Sequence, residues 1–509
     1  MCTNRCAANC HARHVMSRRG FLGVSAAAAC SAVLGGCGPE VKRAAATAPG
    51  ILDTTATGPW GPASRCTPAI KVAFVRRKGE YGMRWPGQVY DGQAARKTYT
   101  QRIQETAKAL NMKADIRPAP IYSGAEADEW IAQAKAAGPD GLLVVLLDRQ
   151  DHAWPTANKA IDSGIPTVVY SPVGSSFTTN TAEPSRKTGA VIYSTDDFSQ
   201  AAYGMKMLQA GTKMGAARIV VIHGRERSES KLGDLGIQLR HVPAKTFVDL
   251  YNTTSENKEM HAIADGYLSA AQRGFGASRQ DVVNGARSYV VARRILREEE
   301  ADGVTMDCLG ALGPTRLSLP CLAWSRLNDQ GIPAACEADL GAVASHVIVQ
   351  YLFDRPGFQQ DPVAETARKA IIGAHCSCPT RLNGFDKPPE PFVLRHHHAE
   401  RDATAQTIWR VGQAVTSIDV LPEKGTHLKG ETKTGQTADR ARMIISSGQV
   451  LENVNVPPAG GCVVSVMVKF DGVDDVLGYP GFHQVFFYGN YRRHLIDFCR
   501  LYRIQPQVV

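Results

Sequence analysis

Residues 140–172 read DGLLVVLLDRQDHAWPTANKAIDSGIPTVVYSP, and this stretch decides the fold class. Two short apolar runs, GLLVVLL and PTVVYSP, are bounded by turn residues and separated by a stretch with helical spacing. Apolar runs alternating with helices imply a parallel, doubly wound sheet, because parallel neighbours need a long crossover between them. The same rhythm extends outward. AIKVAFVRR (69–77) and ADIRPAPIY (114–122) are further strands on either side of an amphipathic helix, ARKTYTQRIQETAKALNM (95–112). A second cycle runs through AARIVVIHGRERSES (216–230), LGIQLRHVPAKTFVDLY (235–251) and ADGVTMDCLG (301–310).

After Phe353 the character changes. KAIIGAHCSC (369–378), PFVLRHHH (391–398), VTSIDVL (415–421), ARMIISSGQV (441–450) and CVVSVMVKF (462–470) are short strands between turn residues, the pattern of a mostly antiparallel β domain. RRHLIDFCRLY (492–502) closes the chain as a helix. The expected fold is therefore α/β. Two doubly wound, Rossmann-like domains occupy 69–205 and 206–335, and a β-rich, barrel-like domain occupies 336–509.

Residues 38–68 are rich in Ala, Thr, Pro and Gly without periodicity and read as a flexible linker. Residues 1–37 read as an export signal. The twin arginines Arg18-Arg19 precede an Ala-rich run too short to span a bilayer, and Leu34-Gly35-Gly36-Cys37 resembles a bacterial lipoprotein box. Lipidation of Cys37 and a periplasmic, membrane-anchored location follow as expectations.

With 509 residues, 44% hydrophobic and 21% charged, the chain has room for about three domains and a sizeable core. Its net charge of +10 does not point to nucleic acid, since Lys and Arg are scattered and no basic run is interleaved with aromatics. Of 13 cysteines four precede Cys37, and the others are too sparse for a disulfide framework. Cys376-Ser377-Cys378 is one residue tighter than a zinc C-x-x-C, so these cysteines read as core. VVIHGRERSESKLGDLG (220–236) lacks G-x-G-x-x-G, which argues against a dinucleotide site.

The stretch AACEADLGAVASH (334–346) sets Glu337 and Asp339 where a short strand gives way to a helix. Asp is a favoured N-cap. In an extended segment residues i and i+2 also face the same way, so both carboxylates can point into one cleft. Leu340, Val343, Val347, Ile348 and Tyr351 share a helix face and form a core stripe.

Two resemblances bear on function. Residues 140–172 look like the sheet edge of a periplasmic sugar-binding protein, where ligands sit beyond the carboxyl ends of the strands. Such a protein normally ends in a second α/β lobe, whereas this chain adds a β domain. In their order, GVTMDCLG (303–310), PCLAWSRLNDQGIPAACEADLGAVASHVIVQYL (320–352), IIGAHCSCPT (371–380) and GYPGFHQVFFYGNYRRHLIDFCRLYRI (478–504) are similar to the L-fucose/L-arabinose isomerase superfamily. That resemblance runs from about Lys71 onward and is strongest at Cys336–Leu352 and Gly481–Ile504. It implies aldose–ketose isomerisation through an enediolate, with a divalent ion, typically manganese, held by carboxylates and a late histidine. It matches Asp339 to a carboxylate ligand and His483 to the histidine, with Glu337 as ligand or base. A hard ion accepts such donors and polarises a sugar carbonyl.

The resemblance also asks for a further carboxylate on the helix before the E-x-D stretch, where Arg326 stands and Asp329 is the nearest acid. Either Asp307, at a strand end, supplies it as a second acid–base group, or the activity is altered and Arg326 binds an acidic sugar or phosphate. His375 either lines the cleft or is a satisfied core residue. His396-His397-His398 would alternate between strand faces and read as a solvated or substrate-rim group. Arg76, Arg77, Arg84 and Trp85 form either a structural loop or a sugar-contacting one. In the family such a loop reaches a neighbouring subunit, which implies a homo-oligomer. The alternative function is a non-catalytic periplasmic sugar-binding lipoprotein on the same scaffold.

Overall fold

The computed structural model describes residues 60–79, 83–84, 88–89, 91–149, 152–272, 274–396, 402–424, 438–454 and 462–509. Arg18-Arg19, Cys37, Trp85, the Arg84 side chain and His397-His398 lie outside the described residues.

The first domain is a parallel sheet of β1 (Ala69–Val75), β2 (Lys113–Ile116), β3 (Gly141–Leu146), β4 (Thr167–Ser171) and β5 (Ala190–Ser194), in the order β2-β1-β3-β4-β5. Every residue of β3 and β4 is buried, as strands covered on both faces require. The crossovers are α1 (Gly92–Ala109), α2 (Gly124–Ala137) and α3 (Ala153–Asp162), and α4 (Phe198–Ala216) follows β5. The Asp91 side chain starts α1 by accepting the Gln93 and Ala94 N–H groups.

The second sheet comprises β6 (Arg218–Ile222), β7 (Ser228–Leu232), β8 (Ile237–Val242), β9 (Gly303–Met306) and β10 (Ala334–Cys336), ordered β10-β9-β6-β8-β7. Only β7 runs antiparallel, on the outer edge. Its first four residues, SESK, are exposed and include two charges, which suits an edge that must not recruit another strand. Two helices of this domain matter below, α5 (Arg279–Glu298) and α6 (Cys321–Asp329).

The C-terminal domain is built around β11 (Phe358–Glu365), β12 (Ala370–His375), β13 (Ala414–Leu421), β14 (Arg442–Asn453), β15 (Val464–Phe470) and β16 (Gln484–Tyr488). They pair antiparallel in the order β13-β16-β11-β12-β15-β14, and β14 pairs back onto β13. The sheet thus closes as the expected barrel, which removes its free edges. β17 (Gln505–Val508) adds to β14 in parallel after the terminal helix α8 (Arg492–Tyr502).

Between the second sheet and the barrel lies α7 (Leu340–Phe353), packed against α4 of the first domain and β13 of the barrel. All its residues except Tyr351 are buried, so the one-sided stripe expected from its spacing is too narrow. A helix apolar all round must be enclosed. Of the expected domain limits, 205/206 falls inside α4 and 335/336 inside β10. The linker expectation for 38–68 needs correction at its end. Pro62–Arg65 form a helical turn, because the buried Asp302 carboxylate accepts the N–H groups of Ala63 and Ser64, both at 3.2 Å, and that of Arg218 at 3.0 Å.

Candidate cation centre

The centre starts at the end of β10. Glu337 (φ 63°) and Ala338 (φ 55°) are successive left-handed residues, after which Asp339 begins α7. The extended geometry expected for Glu337–Asp339 is therefore replaced by a tight turn. Each non-glycine residue in this region costs about 1–2 kcal/mol, and such strain collects at functional sites. The turn is held at both ends. The Cys336 N–H donates to Gln359 Oε1 (2.8 Å), and Asp339 Oδ1 accepts the Ala342 N–H (2.8 Å). Asp339 is thus an N-cap, and its other oxygen remains for the centre.

His483 arrives from the barrel, one residue before β16. Gly481 has φ 88°, and a Cβ there would stand 2.5 Å from Asp419 Oδ2, so the close approach requires glycine. That same Asp419 oxygen accepts the Phe482 N–H at 2.9 Å. His483 is itself left-handed (φ 48°), with its ring buried. Its Nδ1 lies 3.0 Å from Asp339 Oδ2, and its Nε2 lies 3.5 Å from Glu337 Oε2 and 3.1 Å from Asp361 Oδ1.

Asp361, on β11, is the residue the sequence reading missed. β11 pairs with β16 at Gln360↔Gln484, and the next step of that ladder sets Asp361 beside His483. Its only local signal was an acid in a strand. His375, at the end of β12, also joins the group. One ligand atom from each of Glu337, His375 and His483 lies within 4.8 Å of the others. The His375 Nδ1 is 3.3 Å from Ser377 Oγ, and its ring centroid is 5.9 Å from that of His483.

Three carboxylates around one imidazole dominate the electrostatics. Burial opposes charge on His483, but its hydrogen bond to Asp339, the nearby Asp361 carboxylate and the charges of Asp339 and Glu337 outweigh it and hold its pKa up at about 10. Burial, with the neighbouring acids, raises Glu337 despite His483. For Asp361 the rise from burial is overcome by His483 and by the charge of His375, and the net shift is downward. Burial and the Asp339 charge push Asp419 up to about 7. Burial drives His375 down to about 4, leaving a neutral ring with a lone pair to donate. His483 Nε2 and Asp361 Oδ1 face each other off the hydrogen-bond axis, and both are buried without a hydrogen-bond partner among the described residues. Excess negative charge, neutral imidazole and unaligned polar atoms suit a hard divalent cation.

The remaining candidates lie elsewhere. Asp307 caps the Gly310 N–H at 2.9 Å and stands 4.0 Å from His223 Nε2; it acts on Glu337 through its charge. Arg326 is buried on α6 with its guanidinium 4.9 Å from the Tyr289 ring centroid on α5, and it hydrogen-bonds Tyr267. Arg326, expected as a group for an acidic sugar or phosphate, thus stands against Tyr289 on α5. Asp329 accepts the Thr380 N–H (2.8 Å) and Oγ–H (2.7 Å) and the Arg381 N–H (2.7 Å), clamping α6 to the segment after β12. Asp329→Ala leaves buried donors unsatisfied, so stability is expected to fall by about 3 kcal/mol; urea unfolding followed by tryptophan fluorescence measures it.

Arg76 and Arg77 stand at the carboxyl edge of the first sheet. Arg77 Nε pairs with the buried Asp148 at 2.5 Å, His152 Nε2 is 3.2 Å from the Arg76 carbonyl oxygen, and Arg76 Nη1 is buried without a hydrogen-bond partner among the described residues. His396 is partly exposed, with Nε2 3.2 Å from Asp281.

No protein-family profile matches the chain, and neither does any curated protein sequence. Among solved structures, it is similar to an ABC transporter solute-binding protein from Burkholderia multivorans, at 11% identity over 47% of this chain and 80% of the other, with a TM-score of 0.18. It is also similar to the sugar-binding protein of a sugar ABC transporter from Bacillus halodurans, at 16% identity over 56% of this chain and 86% of the other, with a TM-score of 0.16. Likenesses this weak carry nothing over to the ligand or chemistry of the present chain.

Proposed function

We propose that the chain is a divalent-cation-dependent sugar isomerase-like protein, converting an aldose into a ketose through an enediolate. The observation that carries this reading is the meeting of Glu337, Asp361 and His483 Nε2 at one point, with neutral His375 beside them. Glu337, Asp361 and His483 would hold the ion, with manganese the expected one. A bound cation of this kind supplies Lewis-acid polarisation of the sugar carbonyl. Asp339 keeps the His483 ring in place through Nδ1, which leaves Nε2 directed at the centre. Glu337 and Asp361, both partly exposed, are the bases within reach of a substrate carbon, and one of them would move the proton between adjacent sugar carbons. Asp361 then supplies the carboxylate for which the sequence offered Asp307.

A panel of pentoses and 6-deoxyhexoses, followed by NMR with manganese and with chelator, tests the reading. Cation-dependent appearance of the ketose supports it, and a protein that neither retains manganese nor turns over any sugar overturns it. A second reading, a sugar-binding protein without turnover, is favoured by the arginine-rich carboxyl edge of the first sheet, where Arg76 Nη1 is buried without a hydrogen-bond partner among the described residues. It requires sugar affinity, read by calorimetry, that chelator leaves unchanged.

We further propose export by the Arg18-Arg19 signal and lipid anchoring at Cys37, on the sequence of the leader. Cys37→Ser is expected to move the protein from the membrane pellet to the soluble fraction, measured by fractionation and intact mass. A cytoplasmic protein with an intact N-terminus would contradict the assignment.

A further inference from the structure

Cys336 ends β10, His375 ends β12, and Ser377 follows His375 by two residues. All three side chains are buried. The Cys336 thiol donates to Ser377 Oγ at 3.4 Å, and the same oxygen stands 3.3 Å from His375 Nδ1. Neither Ser377 nor the His375 ring makes another side-chain hydrogen bond among the described residues. A hydroxyl has one hydrogen to donate and two lone pairs to accept with. Were the ring proton on Nδ1, thiol and ring would both donate to Ser377. The serine hydrogen would then have only sulfur, a weak acceptor, to point at, which is costly for a buried group. With the ring proton on Nε2 every hydrogen is used, S–H to Oγ and O–H to Nδ1. A neutral imidazole carries a single ring proton, so the bond at Nδ1 decides the state of Nε2.

One ring nitrogen of His375 also lies within 4.8 Å of ligand atoms of Glu337 and His483, and the two ring centroids are 5.9 Å apart. With Nδ1 turned to Ser377, Nε2 is the nitrogen left for the centre. We propose that His375 is a hydrogen-bond donor at the centre rather than a ligand of the ion. Ser377 takes the lone pair of Nδ1, so Nε2 bears the proton and offers it to an oxygen of the sugar. A neutral imidazole in that role polarises a carbonyl and steadies the oxygen of an enediolate while keeping its own proton. His375 is then a catalytic residue, and Ser377 is the positioning residue that sets its tautomer. The identity of the oxygen rests on the isomerase reading, whereas the tautomer does not.

The test starts from the metal-free full chain with isotopically labelled histidine. Two-bond nitrogen–proton NMR spectra tell a protonated ring nitrogen from a bare one, and the His375 signals are those missing in His375→Gln. Expected is a neutral ring protonated at Nε2, moving toward the Nδ1-protonated form in Ser377→Ala and restored in Ser377→Thr. Manganese affinity, read by calorimetry, should be unchanged in His375→Leu and His375→Gln. Turnover of the sugar that the wild type isomerises should fall about 100-fold in His375→Leu. It should recover by about tenfold or more in His375→Gln, whose amide N–H replaces the Nε2 donor. A ring protonated at Nδ1, or a loss of manganese affinity of about tenfold or more in His375→Gln, would overturn the proposal. Absence of turnover by the wild type, with tautomer and manganese affinity as expected, would sink the isomerase reading alone and leave the donor assignment standing.

Discussion

Manganese affinity in His483→Ala is expected to fall by well over 100-fold, which isothermal titration calorimetry and elemental analysis after dialysis would show. The variant loses the Nε2 nitrogen that stands between Glu337 and Asp361 and that would ligate the ion once the ion has displaced its proton. The neighbouring variants should rank behind it in an order set by geometry. Asp361→Asn and Glu337→Gln each remove a charge from the centre and should also lose the ion. Asp339→Asn keeps a helix cap, because Asn caps about as well as Asp. It weakens only the partner of His483 Nδ1, so the expected loss is the smaller, roughly 10–100-fold effect of an outer hydrogen-bonding group. Circular dichroism should show the fold retained in all four. Equal, wild-type manganese content across the set would reduce Glu337–Asp339 to an ordinary helix start.

The second large effect concerns acid stability. His346, on α7, is fully enclosed, and neither ring nitrogen has a hydrogen-bond partner among the described residues. Burial, with the charge of His375, pushes it down to about 3. In the unfolded chain a histidine titrates near 6.5. Between those values the unfolded state carries the extra proton, so stability is complete above about pH 6.5 and is lost as the pH falls toward 3. At pH 4.5 two units of that window have been crossed, which amounts to roughly 3 kcal/mol. His346→Leu has no ring to protonate. The drop in stability between pH 8 and pH 4.5, read from urea midpoints, should shrink by about that amount. An unchanged drop would mean that the ring takes up its proton inside the fold.

The α/β class, both doubly wound sheets and the antiparallel third domain were legible in the sequence because each rests on local spacing. Strands such as GLLVVL and TVVYS carry their burial in their own composition, and α8 coincides with RRHLIDFCRLY. The limits between domains were less legible. The helices at the junctions, α4 and α7, pack on both neighbours, and no local feature marks a helix as shared.

For the centre, the sequence by itself offered Glu337 and Asp339 as two carboxylates at the start of a helix, and it offered His483 only through the resemblance to the isomerases. It also determined that Asp339 could cap a helix. Only the tertiary structure decided what these groups do together. The left-handed turn at Glu337-Ala338, where extended chain was expected, aims the two carboxylates at different nitrogens of one ring. The β11–β16 ladder brings in Asp361, and the packing of α5 against α6 takes Arg326 away onto Tyr289. The physical reason is range: capping and periodicity act over a few residues, whereas a donor set around a cation is assembled by strand pairing between segments more than a hundred residues apart.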